Sequence, residues 1–250
     1  MKSFGTLDLI INETDLPFNP ERVLVFVQGE VGFLPWIVAS SMIDEREPNV
    51  EIFSRYMSVE PLNRMPQPVN PAWTITQVDE NTALLNITTW FPVSMMPDAN
   101  HGMWFHTYPV MRDVVEFLRE EGAVNLWFLA AINGNEQVDH SKGEGIIEIN
   151  VDDDVSTDGE VPLILPAWFI PYLFNRLGGV SRIVAILQDE GQYLDDQALG
   201  GLMIHMKSRG FPVDFDTMTK VLKRVIQMQP AIENIERMFN GKDFDTEEWA

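Results

Sequence analysis

Three short runs are apolar at every position: Val23–Val27, Leu126–Ile132 and Ile183–Leu187. A strand with one wet face alternates apolar and polar side chains, whereas a strand covered on both faces loses that alternation. These runs therefore read as central strands of a sheet carrying helices on each face. Each ends in polar or glycine-containing sequence: Gln28-Gly29-Glu30, Asn133-Gly134-Asn135 and Gln188-Asp189-Glu190-Gly191. Between them, residues 107–121 place Val110, Met111, Val114, Val115 and Leu118 along one helix face, and Gly122 follows as a C-terminal cap. A helix that feeds a buried strand is half of a βαβ crossover, so a mostly parallel sheet is the economical reading.

Other segments complicate that sheet. Thr74–Val78, the turn Asp79-Glu80-Asn81 and the returning Ala83–Ile87 predict a hairpin, and residues 50–57 predict a further strand, so the sheet is expected to be mixed. Residues 58–72 contain Pro61, Pro66, Pro68 and Pro71 and predict an arm that cannot join a central ladder. Beyond the third apolar run, Asp195 or Asp196 is positioned to cap a helix that buries Ala198, Leu199, Leu202, Met203 and Met206 and ends near Gly210. A second helix begins near Asp216, burying Met218, Val221, Leu222, Val225 and Ile226, and its stripe resumes after Pro230 as far as Phe239. The organisation expected is a single α/β domain over residues 1–239, helical from about residue 192, followed by an acidic tail at 240–250.

Charge and composition remove several functions. The chain has 250 residues, 38 acidic side chains against 17 basic, a net charge of −21 and no cysteine. A disulfide framework, a zinc-thiolate site and a cysteine nucleophile are thereby excluded. So strong a negative field repels nucleic acid and anionic lipid, and the densest basic group, Lys220, Lys223 and Arg224, belongs on a solvated helix face. The N-terminus lacks the apolar core of a secretory signal, and no uncharged apolar run is long enough to span a bilayer. A cytoplasmic location is expected.

Motifs for chemistry are weak. Gly29-Glu30-Val31-Gly32-Phe33 follows a buried strand where a phosphate-binding turn would sit, but it matches neither the dinucleotide fingerprint nor the P-loop. His101, His106, His140 and His205 show no metal-ligand spacing, and Asp152-Asp153-Asp154 lacks the alternation of a calcium loop, so no metal or other cofactor is expected. Asp189 and Glu190 end a buried strand, the place where α/β enzymes keep catalytic groups. Met95-Met96, Met103-Trp104-Phe105 and Pro166–Tyr172 are more apolar than loops require; where they reach the surface, another subunit or a partner is expected to cover them.

The order of four segments resembles the proteasome assembly chaperone 2 family, which includes archaeal members. The segments are Gln28–Leu34 with the helix Ile37–Ile43, residues 107–135 ending in Ala131-Ile132-Asn133-Gly134, the strand and turn from Ile183 to Ala198, and the helix from Asp214 through Phe239. The resemblance implies a three-layer α/β/α domain similar to nucleoside phosphorylases. It further implies a non-enzymatic protein that contacts proteasome α-subunits and forms homo-oligomers. Some relatives insert a C-terminal hydrophobic-Tyr-any-residue tail between α-subunits. Here the end reads Glu248-Trp249-Ala250, with Trp249 in the aromatic place and Phe244 nearby, so Phe244, Glu248, Trp249 and Ala250 become the candidate partner-binding residues. The alternative is an enzyme on the same fold that handles a nucleoside-like molecule at the strand ends, with Gly29, Glu30, Gly32, Asn133, Asp189 and Glu190 as the candidate ligand-binding residues. Acidity concentrated in loops and tail predicts attraction to a basic protein surface, with an association rate that falls as salt is added.

Overall fold

The computed structural model describes residues 2–27, 33–43, 46–54, 73–87, 102–134, 138–140, 144–151, 165–189 and 194–224. The three apolar runs form adjacent strands at the centre of the sheet. They are β3 (Arg22–Val27), β7 (Asn125–Gly134) and β9 (Val180–Asp189). Alternate residues of each run enter different cores, which explains why none of them is polar. Val23, Val25, Leu126, Phe128, Ala130 and Ile183 pack on one side, and Leu24, Phe26, Trp127, Leu129, Val184 and Ile186 on the other.

The predicted hairpin is β5 (Trp73–Gln77) and β6 (Thr82–Ile87), paired antiparallel, and β4 (Val50–Ser54) adds to β5. With β1 (Lys2–Phe4), β2 (Leu7–Ile11) and β8 (Ile146–Val151) the order is β1-β2-β4-β5-β6-β3-β7-β9-β8, a nine-stranded mixed sheet. Its centre, β6-β3-β7-β9, is parallel, while five of the eight pairings, those on the flanks, are antiparallel. The mostly parallel sheet expected from the sequence is thus confined to the region of the continuous apolar runs. On the β2 wing only one face is fully buried, Leu7 and Leu9, and alternation returns.

Helices α2 (Gly102–Glu120) and α3 (Leu165–Arg176) cover the first core; α1 (Leu34–Ser40), α4 (Asp196–Ser208) and α5 (Phe215–Arg224) cover the second, completing three α/β/α layers. The predicted face of α2 is fully buried from Val110 to Leu118, and Gly122 closes the helix at φ 102°. Helix α4 starts at Asp195, as expected, and buries all five predicted residues. In α5, Met218 and Leu222 are buried and Lys220 and Lys223 are exposed, while Val221 is half-exposed at the edge of the face. The apolar stretch Pro166–Tyr172 lies in α3, where the chain's own sheet buries Ala167 and Ile170 and partly buries Trp168 and Phe169, while Tyr172 reaches the surface. Met103–Phe105 fall in the first turns of α2, and Met95 and Met96 lie outside the described residues, as do the 58–72 arm, Asp152–Asp154 and the tail. No helix among the described residues is long and apolar enough to cross a membrane.

Candidate functional site

The four parallel strands point the same way, so Val27, Ile87, Gly134 and Asp189 end at one edge of the sheet. This is the edge at which open α/β sheets present ligand-binding loops. Of the residues proposed for it, Asn133 and Asp189 are brought together: Asn133 pairs with Gln188 and Gly134 with Asp189, which sets the two candidates on adjacent strands one position apart. Gly29, Glu30, Gly32 and Glu190 lie outside the described residues, and so do Phe244, Glu248, Trp249 and Ala250.

Beside this edge the structure assembles a polar pair that spacing could not show. Asp195 and His140 are each about 95% buried. Asp195 holds the start of α4, its Oδ1 accepting from the Ala198 amide at 2.9 Å. Its second oxygen lies 3.8 Å from His140 Nε2. The imidazole is enclosed by glycines, because a Cβ at Gly145 would come within 2.8 Å of its ring and one at Gly201 within 3.5 Å of its Cβ. The carboxylate that caps the first turn of α4 thus lies beside the imidazole of the segment following β7. Asp195 was legible as a cap, but His140 lies on a different element, distant in sequence. Replacing Asp195 with alanine removes the acceptor for the first helical turn, and a loss of about 1 kcal/mol is expected in urea unfolding; Asp195→Ser, which caps as well, should recover most of it.

The remaining histidines divide. His205 is buried at 6% exposure, as its position beside the apolar face of α4 predicts. His106 falls within α2, and His101 lies outside the described residues. Among the described residues no group of three or more histidine, aspartate or glutamate side chains is arranged to hold a metal ion. Two clefts occur at the opposite, N-terminal edge of the parallel strands. One of about 590 Å³ is lined by Glu21, Asp79, Glu80 and Asn125, and one of about 460 Å³ by Glu13, Asp15, Arg46 and Glu47. The floor of the second is a satisfied amide network: Asn49 Oδ1 accepts from the Gln77 amide at 2.7 Å, and Gln77 Nε2 donates to the Asn19 and Asp79 carbonyls.

No protein-family model matches the chain, and no protein of curated function matches its sequence. Solved structures do match over nearly the full length. The Pyrococcus furiosus protein PbaB, an archaeal proteasome activator, superposes with a TM-score of 0.63 at 14% identity, over 93% of this chain and 99% of that one. PbaA of the same organism, an archaeal homologue of proteasome-assembly chaperone, gives 0.58 at 14% identity over 92% and 98%. The Mycobacterium tuberculosis proteasome-assembly chaperone homologue Rv2125 gives 0.52 at 12% identity over 83% and 94%. The likeness is one of backbone rather than of side chains, and the chain has the three-layer fold of these proteasome-assembly-chaperone homologues.

Proposed function

We propose that this chain is a proteasome-assembly-chaperone-like protein that acts by direct contact with proteasome α-subunits, without catalysis, and that its copies associate with one another. The observation that carries this reading is the end-to-end match to PbaB, whose described role is proteasome activation, with 93% of this chain and 99% of that one superposed. A fold shared over nearly all of both chains supports the same kind of role for this one. The acidic terminal segment supplies a recognition element: Phe244 and Trp249 stand among Asp243, Asp245, Glu247 and Glu248. An aromatic ring can fill a groove while the acidic groups meet basic side chains at its rim.

The test is co-purification with proteasome α-subunits followed by native mass measurement. The full chain is expected to be retained as a discrete complex. Removal of residues 244–250 is expected to weaken retention about tenfold or more, the scale on which losing one aromatic anchor acts. Failure of both the full and the shortened chain to associate would refute the reading. Retention of the two alike would keep the partner and exclude the tail as the contact.

A further inference from the structure

The face of α4 toward β8 is a stripe one turn apart, Gly201, His205 and Arg209. Gly201 admits the backbone of His140 to 3.5 Å from where a Cβ would be. One turn on, His205 Nε2 lies 3.4 Å from Glu148 Oε2, and past the helix end Arg209 Nη2 approaches the same oxygen at 2.9 Å. The other carboxylate oxygen of Glu148 accepts from Arg182 Nη1 of β9 at 3.1 Å. One carboxylate on β8 is therefore shared by three basic side chains on two neighbouring elements. The Glu148 side chain is only 19% exposed and the His205 side chain is buried, whereas Arg182 and Arg209 reach solvent.

Strand β8 needs such a clamp. It is the last strand of the sheet, bonded to β9 alone among the described strands, and Ile146, Ile147 and Ile149 are only partly buried. Glu148 is its one charged side chain. With a neutral imidazole the cluster holds two guanidiniums around one carboxylate; protonating His205 places a third cation against that single anion, and protonating Glu148 removes the anion. The other titratable pair facing this side of α4, His140 with Asp195, lies one turn toward the helix start.

We propose that the Glu148–His205–Arg182–Arg209 cluster is an acid-sensitive latch, which fastens edge strand β8 to α4 near neutral pH and releases it on acidification before the rest of the sheet unfolds. The direction follows from proton binding. Burial, and then Arg209, hold the His205 imidazole below the ordinary histidine value of 6.5 despite the opposing pull of Glu148. The opened strand lets His205 regain that value and take up a proton that the closed state refuses. Closure is thus favoured above 6.5 and weakens as pH falls below it, down to the lowered value of the closed state.

Hydrogen exchange on the full chain tests this, read as protection factors corrected for the intrinsic pH dependence of exchange. The informative amides are Ile147, Ile149 and Val151, which face β9 because Leu187 donates to Gly145 at the head of the ladder. Between about pH 7.5 and about pH 5.5 their protection is expected to fall about tenfold, while that of Leu126–Ile132 in β7 holds. In His205→Gln, which cannot take up the proton, the β8 protection should be the same at both pH values. In Glu148→Gln it should already be about tenfold low at the higher pH, with β7 intact. The latch is overturned if β8 and β7 lose protection together, if His205→Gln follows the unaltered chain, or if Glu148→Gln protects β8 fully at neutral pH.

Discussion

Asp113→Ala is expected to lower the free energy of unfolding by about 2–4 kcal/mol and to free the β1–β2 hairpin first. Asp113 is 1% exposed in the middle of α2, yet it is charged. It is tolerated because its acceptors are used: Oδ2 takes the Thr6 amide at 2.6 Å, and Oδ1 takes Arg112 Nε and Nη2 at 3.1 and 2.8 Å. The turn that presents Thr6 closes over the carboxylate so tightly that a Cβ at Gly5, at φ 54°, would lie 2.3 Å from Oδ2. Beside it, Phe4 meets Phe117 of α2 edge-on at 5.7 Å. Alanine removes the acceptor of the part-buried Thr6 amide, and that lost hydrogen bond is the larger part of the loss; Arg112, being 45% exposed, contributes little.

Asp113→Asn keeps an acceptor for Thr6 and should cost about half as much. Burial alone would raise the Asp113 pKa, but the hydrogen bonds from Thr6 and Arg112 outweigh it and hold the group below 3.8. A carboxyl shifted this way contributes stability that is present above 3.8 and is lost as pH falls through the lowered value, so the difference between the parent chain and Asp113→Ala should shrink in acid. Urea unfolding at neutral and acid pH measures that difference, and hydrogen exchange at the Lys2–Leu9 and Phe4–Leu7 pairs shows whether the hairpin opens first. A neutral-pH loss under about 0.5 kcal/mol would mean that water replaces the carboxylate at no cost.

Where the sequence reading succeeded and where it failed follow the same physics. Val23–Val27, Leu126–Ile132 and Ile183–Leu187 stand out because burial on both faces leaves no polar position to interrupt them. Strand β8, Ile-Ile-Glu-Ile-Asn-Val, passes unnoticed because its charge is answered by Arg182 and Arg209, residues that sequence order does not place beside it. Helix α3 is obscured by Pro166 and Pro171, which read as loop residues. Pro171 forgoes one helical hydrogen bond, but its carbonyl accepts from Ser181 Oγ at 2.7 Å, and Ala167, Ile170 and Phe174 anchor the helix on the sheet. The candidate site divides similarly. The strand ends place Asn133 and Asp189 at one edge, as a parallel arrangement requires. The His140–Asp195 contact depends on the glycines at 145 and 201, whose value lies in the space they leave.

Gly179 likewise leaves space that a neighbouring side chain fills. A Cβ there would lie 2.2 Å from Cε1 and 2.4 Å from Cδ1 of Phe174, a ring with no solvent exposure. The ring has no easy retreat. The Arg119 guanidinium stands 5.4 Å from its centroid and is held by the carbonyls of Ala123, Leu177 and Gly178. The backbone is committed as well, since the Gly179 amide donates to the Phe174 carbonyl at 3.0 Å and the next amide, Val180, to Val124 at 3.0 Å. This junction therefore sets where β9 begins against β7, and a displaced ring disturbs the central parallel pair rather than a loop. Gly179→Ala is expected to cost about 2–3 kcal/mol, read from the urea midpoint. If the clash is the cause, shortening the ring must relieve it: in a Phe174→Leu background the same alanine should cost less than about 1 kcal/mol, a coupling of about 1–2 kcal/mol. Additive losses would place the cost in the Gly179 backbone instead and exclude the ring as its source.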